Sequence, residues 1–128
     1  MRRLAALAAP LMLLAACQTA KQDYIQFHAG QDPRTVAGHI AEKVGACWFG
    51  GKRKAFEPYS YAPEAGSTST RILIVPKDAP HDLPVLVVEV RNAKRGTDVR
   101  LFGPLMQSGD ADAIRRDVMR WTGGARDC

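Results

Sequence analysis

Apolar residues recur at helical spacing between residues 36 and 48 and predict an amphipathic helix there. The stripe advances in four-residue steps and consists of Val36, Ile40, Val44 and Trp48. Asp32 and Pro33 suit the start of this helix, because aspartate accepts bonds from the free N–H groups and proline fits the first turn. Gly50 and Gly51 are expected to end it.

A second helical pattern lies close to the C-terminus, with Asp110 as its expected cap and Gly123-Gly124 as its end. Its apolar stripe consists of Ile114, Val118 and Trp121. Four of its charged residues are predicted to lie off the stripe: Arg115, Arg116, Asp117 and Arg120.

Between these helices the pattern changes to short alternating or β-branched runs, which predict four strands. They cover residues 55–61, 70–75, 85–91 and 98–102, and the third has the clearest alternation. Pro58 cannot donate a hydrogen bond to a neighbouring strand, so the first strand is predicted to lie at an edge or to carry a bulge. The short connections favour antiparallel pairing.

The order of elements predicts an α+β fold: a helix, a four-stranded antiparallel sheet with meander connections, and a second helix. Each helix has one apolar stripe, so both are expected to pack on one face of the sheet. Residues 32–128 then form a single α+β domain. The preceding segment, 17–31, is mostly polar and is predicted to be a tether, with Tyr24 to Phe27 as its candidates for docking on the domain.

The N-terminus has the composition of an export signal. Arg2 and Arg3 precede an apolar run that is too short for a comfortable transmembrane helix. The run ends in Leu14-Ala15-Ala16-Cys17, which resembles the lipobox of bacterial lipoproteins. The resemblance implies that residues 1–16 are a signal peptide, that the Cys17 thiol carries diacylglycerol, and that the new amino terminus is acylated with a fatty acid such as palmitate. The alternatives are an uncleaved anchor helix or an ordinary signal peptide with a chance cysteine.

The residue after the lipobox bears on localisation. Gln18, rather than aspartate, follows Cys17. In enteric bacteria an aspartate at that position favours retention in the inner membrane, so the resemblance points to the cell outer membrane. The protein would then be membrane-anchored in the cell envelope and would face the periplasm.

Two cysteines remain once Cys17 carries lipid. Cys47 and Cys128 are predicted to form a disulfide bond, because an exported protein folds in an oxidising compartment. The alternative is two free thiols, one buried and one on a frayed tail. Neither cysteine belongs to a C-x-x-C pair, so redox catalysis and a structural zinc site lack support.

The charge balance is mildly basic. The chain has 18 basic and 13 acidic residues, and the loss of Arg2 and Arg3 with the signal peptide would reduce the excess to three. A nucleic-acid partner is not expected from so small an excess. The candidate contacts for an anionic ligand are Lys52, Arg53, Lys54, Arg91, Lys94 and Arg95, which are otherwise ordinary solvated surface.

The sequence contains no motif for catalysis. His28, His39 and His81 match no metal-binding spacing, and no serine or cysteine nucleophile pattern is present. The expectation is therefore no metal, no cofactor and no enzymatic activity. The chain is predicted to be a small cell-envelope lipoprotein that acts as an accessory or interaction module, with an envelope protein as partner. The alternative is a lipoprotein that binds anionic cell-wall glycan or lipid through its basic residues.

Overall fold

The computed structural model describes residues 23–51 and 53–128 of the chain. The sheet contains five antiparallel strands, and the spatial order is β1-β5-β4-β3-β2. The strands are β1 (Ile25–Ala29), β2 (Tyr59–Ala65), β3 (Ser69–Pro76), β4 (Leu86–Asn92) and β5 (Thr97–Phe102). The helices are α1 (Pro33–Lys43) and α2 (Ala111–Thr122). The predicted α+β class, with an antiparallel sheet and two helices, is confirmed.

The prediction of four strands is wrong, because β1 adds a fifth strand beside β5. This strand falls within the segment 17–31 that the sequence analysis assigned to a tether. Ile25, Phe27 and Ala29 pair with apolar or buried positions of β5 and pack towards the helices. Gln26 and His28 alternate with them and are exposed. The period-two pattern was therefore present, but the polar residues that precede it concealed it.

The strand predicted at 55–61 lies further along the chain. Lys54–Phe56 forms a 3₁₀ turn that buries Phe56, and β2 begins only at Tyr59. Pro58 directly precedes the strand. Its carbonyl accepts a hydrogen bond from the Lys77 N–H at 3.0 Å, but proline has no N–H to return. The strand lies at an edge of the sheet, which is one of the two outcomes predicted from Pro58.

Helix α1 begins and continues as the sequence indicates. The Asp32 carboxylate accepts hydrogen bonds from the Thr35 N–H, at 3.0 Å, and from the Thr35 hydroxyl, at 2.6 Å. These bonds stabilise the ionised carboxylate and lower the pKa of Asp32 from its ordinary value. After Lys43 the helix widens into a π-helical segment, Val44–Phe49, which Gly50 closes with a 2.7 Å bond from its N–H to the Gly45 carbonyl.

The core lies between the helices and one face of the sheet. The stripe of the first helix is buried, with Val36, Ile40, Val44 and Trp48 at most 2% exposed. The stripe of α2 joins the same cluster. From the sheet, the alternating residues that complete this cluster are Ile72, Ile74, Leu86, Val88, Val90, Val99 and Leu101. Full burial of such a side chain contributes about 1.5–3 kcal/mol, so this single face holds the domain together.

Cys47 and Cys128 lie at disulfide distance, as predicted, with their Cα atoms 5.4 Å apart. The bond joins positions 81 residues apart, so the loop that it closes contains β2 to β5 and α2. The predicted signal peptide, the lipobox and Cys17 lie outside the described residues.

Candidate interaction surface

The last four residues of the chain are bound to the helices through their polar groups. The His39 Nε2–H donates to the Ala125 carbonyl at 2.8 Å. Arg120 donates to the Cys128 carbonyl at 2.8 Å, and the Trp121 indole N–H donates to the Asp127 carbonyl at 3.2 Å. Together with the disulfide, these bonds form what we call the C-terminal clamp. His39 is thus a structural residue.

A buried carboxylate lies beside the clamp. Asp117 has a side chain that is 8% exposed, and it accepts hydrogen bonds from the Trp48 indole N–H, at 2.9 Å, and from the Arg53 guanidinium. The prediction that Asp117 lies off the buried stripe is wrong. Asp117 follows Ile114 by three positions and precedes Trp121 by four, so it shares their face of α2.

The first group of predicted anionic-ligand contacts is Lys52, Arg53 and Lys54. Arg53 is bound to Asp117, so part of its guanidinium is engaged inside the domain. Lys54 is exposed, and Lys52 lies outside the described residues. This group precedes β2, whose first residue, Tyr59, pairs with Pro76 at the end of β3.

The second group is Arg91, Lys94 and Arg95. Arg91 pairs with Glu89, at 3.6 Å, and lies opposite Ser69 at the beginning of β3. Lys94 and Arg95 are exposed in the turn between β4 and β5. The two groups therefore lie at opposite ends of β3, a separation of about 23 Å at roughly 3.3 Å per residue. The structure does not bring the six residues together in one site.

The face of the sheet away from the helices carries charged residues in a row across the strands. Registers place Gln26, Arg100, Glu89, Arg71 and Glu64 side by side. Within the row, Arg71 binds Glu64, and Arg100 donates to the Gln26 amide oxygen at 2.8 Å. The opposite charges alternate, so the row leaves no net excess of one sign on this face.

The outer edge of β2 is interrupted by a proline. The Gly66 N–H bonds to the Ser69 carbonyl, and the Lys77 N–H bonds to the Pro58 carbonyl. In an antiparallel pair the bonded positions alternate, so the odd-numbered residues of β2 direct their N–H and C=O groups outward. Pro63 is one of them and has no N–H to offer. A strand added at this edge would therefore find no N–H donor at Pro63.

The outer edge of β1 has no such interruption. The Ala93 N–H bonds to the Gly96 carbonyl, so the even-numbered residues of β5 direct their backbone groups towards β4. The odd-numbered residues of β5, such as Val99, therefore direct theirs towards Phe27 of β1. Gln26 and His28 then direct their N–H and C=O groups outward. Among the described residues no strand pairs with this edge.

A cavity of about 180 Å³ lies between β1 and the exposed side of α2. Its walls are Phe27, Arg115, Arg116 and Met119. Met119 is 50% exposed, so its side chain contributes apolar surface to this cavity on the outside of α2. The cavity thus has an apolar floor and a positively charged rim beside the open edge of β1.

Other cavities are lined differently. One of about 200 Å³ is lined by Arg53, Glu57 and Lys77, with mixed charge, around the buried rings of Trp48 and Phe56. A larger one, of about 630 Å³, lies between the start of α1 and the turn that joins β2 to β3. A third, of about 350 Å³, lies at the end of β1 and is lined by residues 28–31 together with Thr122 and Gly123. None of these combines an apolar floor with a positively charged rim beside β1.

The described part of the chain has no group of three His, Cys, Asp or Glu residues that could hold a metal ion. None of the helices over the same residues is long and apolar enough to cross a membrane. His28 bonds through Nδ1 to the Asp98 carboxylate at 2.9 Å, on the uncovered face of the sheet.

The architecture is a two-layer α+β sandwich with an antiparallel sheet, in which no described strand pairs with the outer edge of β1. No protein-family model, no curated protein and no solved structure matches the chain.

Proposed function

We propose that the chain is a small, non-enzymatic cell-envelope lipoprotein that is anchored by lipid on Cys17 and acts as an interaction module. The observation that supports an interaction role is the difference between the two sheet edges. Pro63 interrupts the outer edge of β2, whereas Gln26 and His28 leave the outer edge of β1 available for pairing. The proposed partner is a protein of the same envelope.

The position of β1 along the chain agrees with this role. Ile25 follows Cys17 by eight positions, a length of chain that spans at most about 28 Å when fully extended. An anchored protein would hold the edge of β1 within that distance of the membrane surface. A partner in or near the same membrane would then meet this edge at high local concentration.

The second candidate function is binding of anionic glycan or lipid by the basic residues. Lys94 and Arg95 support it, because both are exposed in one turn. Arg53 and Arg91 support it less, because each already pairs with a carboxylate. Binding to cell-wall or lipopolysaccharide preparations that disappears in high salt, and in a Lys94→Ala/Arg95→Ala variant, would favour this second function.

The anchor is tested by metabolic labelling with a fatty-acid probe. The wild-type chain should acquire the label and the Cys17→Ser chain should not, because serine supplies no thiol for the lipid. A Gln18→Ser chain, changed at the next position, is the matched control and should be labelled like the wild type. Equal labelling of the wild type and the Cys17→Ser chain would exclude Cys17 as the site.

The interaction role is tested by photo-crosslinking in intact cells. A photoreactive residue at His28 reports on the edge of β1, and one at Glu64 reports on the edge of β2 on the same face of the sheet. We expect a defined crosslinked protein from position 28 and none from position 64. The same product from both positions, or from position 64 alone, would contradict the assignment of the edge.

A further inference from the structure

We infer that the outer edge of β1 binds an extended acidic segment of a partner protein as a sixth, antiparallel strand. An apolar side chain of that segment enters the cavity lined by Phe27 and Met119. This inference rests on the proposed interaction function, and it names the chemistry of the partner. Addition of a strand to a sheet edge obtains affinity from main-chain bonds and specificity from pockets for alternate side chains.

The edge is already ordered for pairing. The Arg100 guanidinium lies over the Tyr24 ring, 4.3 Å from its centroid, and donates to Gln26. His28 is held by Asp98. The outward N–H and C=O groups of Gln26 and His28 therefore have fixed positions, so binding does not have to order this strand.

The cavity lies where an added strand directs every second side chain. Phe27 faces the helices, and the partner residue directly opposite Phe27 faces the same side. That residue enters the 180 Å³ cavity, whose floor of Phe27 and Met119 favours an aliphatic side chain. The next residues of the partner on that side lie two positions before and two positions after it.

The rim of the cavity selects acidic residues at those two positions. Among the described residues, Arg115 pairs with the exposed Asp112 alone, at 3.1 Å, and such a surface pair contributes little. Arg116 makes no ion pair with any residue of this part of the chain. Two guanidinium groups with no buried carboxylate beside them complement carboxylates on the partner. The expected motif is acid-x-aliphatic-x-acid.

The same charges argue against a second copy of this chain as the occupant. Pairing of two β1 strands about a twofold axis would extend one sheet through both copies, with the helices on the same side. Each copy would bring its own Arg115 and Arg116 to the junction, and like charges so placed repel. An acidic segment meets no such repulsion.

The probe is a synthetic fluorescent peptide, Ser-Glu-Thr-Leu-Thr-Glu-Ser, measured by anisotropy against the full chain in detergent. We expect saturable binding that weakens with salt, because the arginines contribute to it. In the antiparallel register the two threonines form the bonds to Gln26 and His28, whereas the leucine N–H points away. N-methylation of the threonines should therefore weaken binding about tenfold, and N-methylation of the leucine should change it less than about twofold.

Two variants of the protein test the same geometry. Gln26→Pro removes an outward N–H but no bond to β5, and Arg116→Glu reverses a charge on the rim. Each should weaken binding about tenfold or more, whereas Arg126→Glu, the same charge change at an exposed position outside the cavity, should not. The N-methylated peptides keep the test valid if Gln26→Pro fails to fold.

Absence of binding to the wild-type chain would overturn the inference, as would equal binding of the two N-methylated peptides. Self-association that Gln26→Pro abolishes would also overturn it, in favour of a second copy. The peptide-binding test is independent of the test for the lipid anchor, because the Cys17→Ser chain should bind the peptide as well as the wild type does. Peptide binding without fatty-acid labelling would refute the anchor alone, and labelling without peptide binding would refute this inference alone.

Discussion

The C-terminal clamp and strand β1 lie at the two ends of the described chain. They differ in how many of their backbone N–H and C=O groups are hydrogen-bonded. In the clamp, the carbonyls of Ala125, Asp127 and Cys128 all accept hydrogen bonds from side chains of the helices. In β1, the residues that face β5 are bonded, and Gln26 and His28 have their backbone groups directed outward. The backbone carbonyls of the clamp are thus bonded within the domain. In β1, every second residue has backbone groups that can bond to another strand.

The difference shows how to separate structural from functional polar residues in a small domain. A polar group whose partners lie inside the chain, such as Asp117, contributes mainly to stability. A polar group that is ordered but unpaired, such as the N–H of Gln26, is available for a partner. Substitutions in the clamp should therefore lower stability, whereas substitutions on the outer side of β1 should change binding.

The largest expected effect on stability is loss of the disulfide. A Cys47→Ala/Cys128→Ala chain should lose about 4–5 kcal/mol of unfolding free energy in the chain-entropy model, although measured values are often smaller. Urea denaturation of this chain should match that of the reduced wild type. Identical denaturation midpoints for the oxidised and the reduced wild type would show that the clamp does not depend on the bond.

Removal of the buried carboxylate comes next. Asp117→Ala would leave the Trp48 N–H and the Arg53 guanidinium without their acceptor and should cost about 3 kcal/mol. Asp112→Ala in the same helix is the matched control, because its pair with Arg115 is exposed and contributes less than about 1 kcal/mol. A comparable loss of unfolding free energy in both variants would mean that the buried bonds of Asp117 stabilise the fold no more than the exposed pair of Asp112 does.

A smaller effect is expected at the junction of β1 with the turn between β4 and β5. Gly96 has a φ of 76°, and a Cβ there would collide with the Ala29 carbonyl oxygen. Gly96→Ala should cost about 1–3 kcal/mol and should loosen the end of β1, because both the turn and the strand must shift. Gly30→Ala is a neighbouring control, since a Cβ there meets nothing within 4 Å. Equal melting temperatures of the two variants would contradict this account.

Much of the fold follows from residue periodicity, because burial on one face imposes it. The stripes of both helices could be predicted in this way, and the antiparallel sheet could be predicted from the short connections. The edge position of β2 was one of two outcomes expected from Pro58, which lies just before the strand. The cysteine pair could be predicted because the lipobox resemblance assigns Cys17 to lipid, which leaves Cys47 and Cys128 of the three cysteines. Strand β1 was missed because five residues of alternation are a weak signal next to a polar segment.

The candidate surface was much harder to predict. Whether Gln26 or Phe27 directs its N–H outward depends on the register with β5, which the local sequence does not determine. The cavity joins Phe27 to Met119 across 92 positions of the chain, and only tertiary packing brings them together. Asp117 was placed on the wrong side of α2 because a charged residue was assumed to be solvated, although its spacing from Ile114 matched the buried face.

The open edge of β1 is tested most directly by residue-resolved amide hydrogen exchange on the free protein. The N–H groups of Phe27 and Ala29 should exchange slowly, because they bond to β5, while those of Gln26 and His28 should exchange fast. This alternation along a single strand is the result that the account predicts. Uniformly slow exchange from Gln26 to Ala29 would mean that the outer edge is already paired, and it would contradict the central claim.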